Sequence, residues 1–386
     1  MTYNQVYEYT NQAVKEALGT TAVLKEDLSN IVDVGNELFN NKALDKYANA
    51  LIDHIGKVVF VDRLYTRRAP SVLMDAWEYG QVLEKIRVNM VDAEDNDSWE
   101  LTDGQSYDEN IFKKPVVSAK FYDKRITFEI DISIPSIQVK GAFSSAAQMG
   151  GFISMIYTMI ENSLELRLEK LVMGTICGAV AETYNADIGT GTPAETTGIK
   201  AVNLLKLYNT EKGGALTADK ALSDPEFIRF ASLQILLYSD KLTSYTTLFN
   251  VGKTEKFTPK DRQRIILLSE FSKRADVYLQ SDVWHNELTR LPAHDDVMYW
   301  QGTGTDFSLA NTAKIDVALP SNKTKEVIIP KLLGVIFDRN ALGVANFDKR
   351  ITSKWNAKGE FTNYFYKVDA GYFVDTNENL VCFFIA

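Results

Sequence analysis

The feature of this sequence that most constrains its fold is an unbroken alternation of apolar and polar side chains over residues 125–134. Every second position is apolar, at Ile126, Phe128, Ile130, Ile132 and Ile134. Because successive side chains of a β-strand point to opposite faces of the sheet, the pattern predicts a strand with one buried and one solvated face. Residues 117–122 alternate in the same way, and Asp123-Lys124 is predicted to form a tight turn between the two strands.

A long β excursion from Trp77 to Pro135 is predicted around these strands. Residues 84–91 supply a third candidate strand. The segment between Val91 and Asn110 is rich in Asp and Glu and is too polar to enter a core. We therefore expect the excursion to have a solvated tip.

Apolar residues recur at helical spacing on both sides of the excursion. Residues 4–18 and 43–55 predict short amphipathic helices, and the longest candidate lies within residues 144–174. Two later helices are predicted from N-terminal signatures, Ser223–Glu226 before an apolar run to Tyr238, and Thr258–Asp261 before the run Ile265–Phe271.

The last sixty residues return to a β-rich composition. Asp375–Asn379 is predicted to be a hairpin turn, followed by a buried terminal strand. Periodicity alone thus predicts an α+β protein, and elements that cannot bury their own apolar faces imply an oligomer. The predicted strands of this region are 327–329, 332–337, 364–374 and 380–385.

Length and charge limit the class of protein. A chain of 386 residues is long enough for two or three packed subregions. A net charge of −9 argues against a surface that grips nucleic acid, although it does not argue against a protein that encloses it. Cys177 and Cys382 both lie in apolar settings, which indicates a reducing cytoplasm and no disulfide framework. We expect neither a signal peptide nor a membrane span.

No catalytic motif is complete. Gly252-Lys253-Thr254 resembles part of a phosphate loop, but Thr247 stands where that motif requires glycine. The acidic stretch near Asp92 places Asp97 where a calcium loop needs its glycine. Neither a serine nucleophile motif nor a Cys–His pair is present. We therefore expect no enzyme activity, no catalytic residue and no cofactor.

One cluster of polar residues offers a weak metal-binding pattern. His285 and His294 are nine residues apart, but Pro292 lies between them and they match no helical two-histidine arrangement. We interpret the cluster as polar loop residues and expect no bound metal, with a metal-dependent hydrolase as the alternative. Its members are His285, Glu287, His294, Asp295 and Asp296.

The order of these elements resembles the Hong Kong 97-type major capsid fold of tailed phages. In that fold the corresponding parts are the N-arm, E-loop, spine helix, A-domain and P-domain. Several segments are further similar to the capsid proteins of phi-29-like podoviruses. They are Leu51-Ile-Asp-His-Ile-Gly-Lys-Val-Val, Ala142-Phe143 leading to Phe152-Ile-Ser, Asn162-Ser-Leu-Glu165, Leu333-Gly-Val-Ile-Phe-Asp338 and Asn363-Tyr-Phe-Tyr366.

The resemblance implies a division of the chain into domains. Some members of that group carry an immunoglobulin-like domain after the last P-domain strand, and we expect it to be absent from this chain, which ends at Ala386. The sequence identifies no lysine–asparagine pair for covalent cross-linking. The implied parts are an N-terminal arm at 1–60, an E-loop β excursion at 61–140, a P-domain segment with the spine helix at 141–195, an A-domain at 196–325 and terminal P-domain strands at 326–386.

The resemblance also implies a function. The chain is expected to be a virion protein that forms hexamers and pentamers in an icosahedral head around double-stranded DNA. Assembly is expected in the host cytoplasm, with scaffolding and portal proteins as partners. An encapsulin-like nanocompartment shell is the alternative within the same fold.

Two groups of residues are expected to make intermolecular contacts. The apolar face Ile126–Ile134 is expected to lie over an adjacent subunit, so that Ile130→Asp would give soluble protein that fails to assemble. Arg63, Arg67 and Arg68 are expected to touch DNA phosphates weakly, and pairing with neighbouring subunits is left open as their alternative role.

Overall fold

The fold is seen in a computed structural model that describes most of the chain after residue 82. The helix predicted at 43–55 lies largely outside the described residues, as do Arg63, Arg67 and Arg68. The described residues are 3–19, 83–88, 90–91, 93–96, 98–107, 110, 112–135, 146–189, 192–280, 291–301 and 307–386, together with 24–25, 30, 33–34, 37–38, 43, 46–47, 50 and 72–74.

The described residues form six α-helices and thirteen β-strands. The helices are α1 (Tyr3–Leu18), α2 (Ala146–Asp187), α3 (Leu204–Lys212), α4 (Pro225–Lys241), α5 (Ser269–Gln280) and α6 (Leu309–Thr312). The strands are β1 (Leu73–Met74), β2 (Leu83–Val88), β3 (Val117–Tyr122), β4 (Arg125–Pro135), β5 (Ala201–Asn203), β6 (Gln263–Leu268), β7 (Asp295–Val297), β8 (Ile315–Ala318), β9 (Glu326–Ile329), β10 (Leu332–Asp338), β11 (Leu342–Asn356), β12 (Phe361–Val374) and β13 (Leu380–Phe384).

Helix α2 joins the two hydrophobic cores of the molecule. Its 42 residues span about 63 Å at 1.5 Å per residue. Ile160 and Leu164 are buried in the smaller core, whereas Ile176 and Val180 are buried in the larger one. The helix therefore forms a spine between them.

The spine continues thirteen residues beyond Gly174, the end of the predicted range. Gly174 is not its end, because the residues beyond it pack into the larger core. A Cβ on Gly178 would lie 2.9 Å from the side chain of Pro320. Glycine in a helix costs about 1 kcal/mol relative to alanine, and here it permits the close approach of Pro320.

The first sheet has four strands in the order β1-β11-β12-β4. Strand β4 pairs antiparallel with β12 from Arg125 opposite Gly371 to Pro135 opposite Phe361. Tyr364 and Tyr366 of β12 are buried against the smaller core, which also contains residues of α1 and the first half of α2. The predicted strand at 125–134 is therefore confirmed, but it belongs to the sheet of terminal strands.

The second sheet has five strands in the order β5-β13-β10-β6-β7 and forms the centre of the larger core. Every residue of β13 and β10 is buried, as a strand in the middle of a covered sheet requires. The buried terminal strand is thus confirmed. Helices α3, α4 and α5 belong to this half of the molecule.

The start of α4 follows its predicted signature. The side chain of Asp224 accepts hydrogen bonds from the backbone N–H groups of Glu226, at 2.9 Å, and Phe227, at 3.4 Å. Pro225 occupies the first helical turn, where its missing N–H has no intrahelical partner to lose.

Three local predictions are wrong. A helix was expected over Ile265–Phe271, but Ile265–Leu268 lies in strand β6 between β10 and β7, because a short apolar run fits a buried strand as well as a helix. Asp123-Lys124 joins two different sheets, since β3 pairs with β2 and β4 pairs with β12. Asp375–Asn379 likewise connects β12 of the first sheet to β13 of the second and is not a hairpin turn.

Candidate assembly surface

The β2–β3 hairpin exposes its apolar side chains to solvent, which is unfavourable for an isolated subunit. Along β2, Lys85 and Arg87 are half-buried against the body of the chain, while Ile86 and Val88 face solvent. Ile86 is 67% exposed. The register places Val88 opposite Val117, and both side chains are mostly exposed. We call the exposed residues Ile86, Val88, Val117 and Phe121 the outward apolar face.

Exposure of the outward apolar face to water is unfavourable unless another molecule covers it. Removing apolar surface from water contributes about 25 cal/mol per Å². A two-stranded hairpin is at best marginally stable by itself. An exposed contiguous apolar patch on a folded protein marks a surface that binds another molecule. The outward apolar face is therefore the strongest candidate for an intermolecular contact among the described residues.

The inward face of the hairpin is anchored by a single buried carboxylate. Lys85 from β2 and Lys120 from β3 each place Nζ 3.2 Å from an oxygen of Asp375, whose side chain is only 5% exposed. Lys85 also donates to the backbone carbonyl of Asn340. Its ammonium lies 4.5 Å from the ring centroid of Phe373. One carboxylate thus ties both strands of the hairpin to the turn after β12.

The protonation state of Asp375 controls this anchor. Burial alone would raise its pKa, but the ammonium groups of Lys85 and Lys120 and hydrogen bonds hold the pKa below its ordinary value. A depressed carboxylate pKa contributes stability that is present above the unfolded value, about 3.9, and is lost as the pH falls through the folded value. The hairpin is therefore expected to stay anchored at neutral pH and to loosen in acid below about pH 4.

The variant Asp375→Asn should loosen the hairpin without unfolding the subunit. Hydrogen bonds to a charged partner contribute about 2 kcal/mol, so amide exchange in β2 and β3 should become roughly thirtyfold faster. Hydrogen exchange read by mass spectrometry measures this. Asp369→Asn is the matched control. Asp369 lies on β12, the strand that leads into this turn, but it pairs with Arg350 at 2.8 Å and is far from the hairpin anchor. Equal exchange rates in the hairpin of both variants would contradict the anchoring role.

The tip of the hairpin is acidic and displays aromatic side chains. Residues 89–116 contain eight acidic and two basic residues. Glu94 and Lys113 form an exposed ion pair across the tip. Trp99 is 96% exposed and Phe112 is 86% exposed. The solvated tip predicted from sequence is thus present in the described residues, together with exposed aromatics that the acidic composition did not indicate.

The face predicted to lie over a neighbouring subunit packs largely within its own chain. Phe128 and Ile132 are buried in the smaller core, and Ile130 packs against it. Ile126 is 42% exposed, and the side chain of Ile134 lies outside the described residues. Burial of Phe128 and Ile132 is therefore explained without a neighbour, and a subunit contact along the face Ile126–Ile134 stays a prediction.

The sequence indicates a strand with two different faces at β2, but it does not indicate which of the two faces lies inward. Residues 84–88 alternate between cationic side chains and side chains that are apolar or acidic, which predicts a two-faced strand. Sequence reasoning assigns the apolar face to the core by default. Only the carboxylate of Asp375, which is 290 residues away from Lys85, shows that the cationic face is the inner one.

The polar residues considered for catalysis or metal binding form no such site in the described part of the chain. There, no three His, Cys, Asp or Glu side chains lie close enough together to hold a metal ion. His285 and Glu287 lie outside the described residues. His294 places Nε2 3.0 Å from Ser272 Oγ and 3.4 Å from Asp296, and Nδ1 2.7 Å from the carbonyl of Pro292. This is not a nucleophilic triad, because the carboxylate lies at the same ring nitrogen as the hydroxyl.

The electrostatics of this cluster are those of a local ion-pair network. Hydrogen bonding to Asp296 raises the pKa of His294 against the opposing effect of burial. Burial would raise the pKa of Asp296, but hydrogen bonds from His294 and Lys273 lower it well below its ordinary range.

Both cysteines are buried and free, and burial raises the pKa of Cys177 to about 12. Such thiols are poor nucleophiles and poor metal ligands.

Comparison with known structures defines the class of fold. The capsid structure of Staphylococcus phage Andhra superposes with a TM-score of 0.51 at 10% identity, covering 85% of this chain and 87% of that one. A structure of the head fiber and inner core protein of native bacteriophage P68 gives a TM-score of 0.48 at 9% identity, covering 84% and 87%. The fold is an α+β Hong Kong 97-type major capsid fold, as the resemblance predicted.

Comparison of sequences then identifies the family. Residues 10–384 match the Phi29-like phage major capsid protein family. A stretch of 176 residues is 27% identical to the major capsid protein of Bacillus phage GA-1, covering 40% of this chain and 36% of that protein. The match thus spans about a third of the length of that relative. The chain belongs to the Phi29-like phage major capsid proteins.

Proposed function

We propose that this chain is the shell subunit of a tailed-phage head. Copies of it form hexamers and pentamers that close into an icosahedral particle around double-stranded DNA. The role is structural, without catalysis or a cofactor. The observation that carries the proposal is the outward apolar face of the β2–β3 hairpin, which an isolated subunit leaves in water and a shell covers.

Membership of the capsid family supports the proposal, and the geometry of the hairpin makes it specific. The cationic face of the hairpin is anchored to the body of the chain at Asp375, and its apolar face is exposed. A neighbouring copy is the natural cover, because every subunit of a shell has identical neighbours. We propose that the outward apolar face is a subunit interface.

The proposed division into domains follows the pairing of strands. We retain an N-arm at 1–60, a P-domain segment with the spine helix at 141–195, an A-domain at 196–325 and terminal P-domain strands at 326–386. Strand β4 pairs with β12, so we assign it to the P-domain although it lies within the predicted E-loop range 61–140. The E-loop is then centred on the β2–β3 hairpin and its tip.

Assembly is proposed to occur in the host cytoplasm with scaffolding and portal proteins. None of the helices in the described part of the chain has both the length and the apolar character needed to cross a bilayer. Co-expression with the neighbouring head genes, followed by sedimentation and negative-stain microscopy, tests the proposal. Closed particles are expected. Stable monomers under all of these conditions would contradict it.

Contact with the packaged DNA is proposed to be weak and independent of sequence. The net charge of −9 opposes binding to phosphates, and Arg63, Arg67 and Arg68 remain the proposed points of contact. Isolated subunits should therefore bind duplex DNA no more tightly than about 10⁻⁴ to 10⁻⁶ M at physiological salt. Fluorescence anisotropy with two unrelated duplexes measures this. Nanomolar binding to one of them would point to a DNA-acting protein instead.

A further inference from the structure

A cavity of about 590 Å³ lies between the inward face of the β2–β3 hairpin and the body of the chain. Its lining includes Lys85 and Arg87 of β2 and Lys120 of β3. The opposite wall includes Lys256, from the loop after α4, and residues of the turn after β12. Ligand-binding cavities in proteins commonly have volumes of about 300–1,000 Å³. This cavity is therefore large enough to hold a small ligand.

Basic side chains outnumber acidic ones on the inner walls of this cavity. Among the described residues, these four cations face two carboxylates, those of Asp375 and Glu378. Glu84 borders the cavity as well, but it belongs to the exposed side of β2. Four cations against two carboxylates leave a surplus of two positive charges in a partly enclosed space.

The carboxylate of Asp375 must satisfy two ammonium groups at once. Lys85 and Lys120 each place Nζ 3.2 Å from one of its oxygens. Burial lowers the pKa of Lys85, and the nearby charge of Lys256 opposes its protonation as well, although Asp375 raises the pKa. The positive charges of the cavity are thus incompletely compensated by the acidic groups around them.

Arg87 is the cation of the cavity with the fewest contacts. Its guanidinium donates to the backbone carbonyl of Glu255 at 3.4 Å and forms no ion pair with any described residue. A guanidinium carries five N–H donors in a planar fork that matches the oxygens of a phosphate. Lys256, the next residue after Glu255, is paired with Glu378 at 2.8 Å. Most donors of Arg87 are therefore available to a ligand.

From these observations we propose that the cavity binds a phosphate group, which bridges the hairpin to the loop at Lys256. A terminal phosphate carries about −1.5 to −2 charges at pH 7, which matches the surplus of positive charge. Charge-assisted hydrogen bonds from arginine and lysine to phosphate are roughly twice as strong as neutral ones. Free phosphate and the phosphates of a nucleic-acid strand present the same oxygens. The site does not depend on the shell function, because all of these residues belong to one subunit.

A bound phosphate adds a second link between the hairpin and the body, beside the carboxylate of Asp375. A ligand that binds only the closed arrangement stabilises it increasingly as the ligand concentration rises above the dissociation constant. Local opening of the hairpin should therefore become rarer in phosphate. Salt alone screens charges and weakens the existing ion pairs. Specific binding and general screening thus change the hairpin in opposite directions.

Hydrogen exchange of the free subunit, read by mass spectrometry, tests the proposal with inorganic phosphate as the probe. At a phosphate concentration about ten times the dissociation constant, exchange in β2 and β3 should slow about tenfold. Sodium chloride at the same ionic strength should give no such protection. Isothermal titration calorimetry gives the dissociation constant.

Two variants remove one positive charge each from the cavity without touching the contacts of Asp375. Arg87→Gln and Lys256→Gln should each weaken the binding of inorganic phosphate about tenfold. Arg167→Gln is the matched control, since Arg167 is exposed on α2 and lies outside the lining of the cavity. The control should bind phosphate like the original protein.

Asp375→Asn gives an independent test with the opposite sign. It raises the surplus of positive charge by one, so this variant should bind inorganic phosphate more tightly than the original protein. Phosphate should then restore part of the slow exchange that the variant loses in β2 and β3.

A short single-stranded oligonucleotide separates the two sources of phosphate. Displacement of inorganic phosphate by a lower concentration of oligonucleotide would assign the site to nucleic acid, and no displacement would assign it to free phosphate. Equal exchange in phosphate and in chloride, or equal phosphate affinities of Arg87→Gln and Arg167→Gln, would overturn the site. Shell assembly is measured separately, so neither result would count against the proposed function.

Discussion

Replacing Ile86 by lysine should abolish shell assembly while leaving the subunit folded. Ile86 is 67% exposed on the outward apolar face. Its substitution should therefore change the free energy of unfolding of the free subunit by no more than about 0.5 kcal/mol. In the proposed shell a neighbouring subunit would cover the same position, where an unpaired buried ammonium costs on the order of several kcal/mol. Sedimentation velocity of the variant should show soluble subunits under conditions that give particles from the original protein.

The matched control for this experiment is Ile328→Lys. Ile328 is also a strand isoleucine, 51% exposed on β9, and it lies opposite Asp316, so a lysine there meets a favourable partner. Normal assembly of Ile328→Lys and none of Ile86→Lys would localise the contact to the hairpin. Normal particles from Ile86→Lys would show that the outward apolar face is not an interface.

Replacing Phe128 by alanine should have the opposite effect to Ile86→Lys, because it should destabilise the subunit itself. Phe128 is 6% exposed and packs in the smaller core. Removing a buried phenylalanine costs about 3–5 kcal/mol through lost burial and the cavity left behind. Thermal or urea denaturation of the free subunit measures this loss.

Glu129→Ala is the control for Phe128→Ala, since Glu129 lies on the opposite face of the same strand and is paired with Lys367 only at 3.7 Å. Exposed ion pairs contribute about 0–1 kcal/mol, so this variant should melt near the original temperature. If Phe128→Ala melted normally but did not assemble, the face would be an intermolecular contact, as the sequence alone predicted. The same reasoning changes the expected result of Ile130→Asp from a soluble assembly defect to a folding defect.

The elements that the sequence predicts well are those decided by local pattern. Strand β4 follows from a strict period of two, and α4 follows from the capping residue Asp224 with Pro225 behind it. Strand β13 follows from continuous apolarity. In each case the deciding interactions lie within a few residues of the chain.

What the sequence does not predict depends on partners distant along the chain. Ile265–Leu268 forms a strand because β10 and β7 lie on either side of it. The helix α2 continues past Gly174 because the larger core receives its last three turns. The orientation of the β2–β3 hairpin is decided by Asp375, and no local pattern indicates that a cationic strand face will be the inner one.

The most direct test of this account is a cryo-electron microscopy reconstruction of particles assembled from this protein. We expect a closed icosahedral shell in which Ile86, Val88 and Phe121 are covered by a neighbouring subunit. A closed shell that left these three side chains in solvent, or a preparation that contained only monomers, would contradict it.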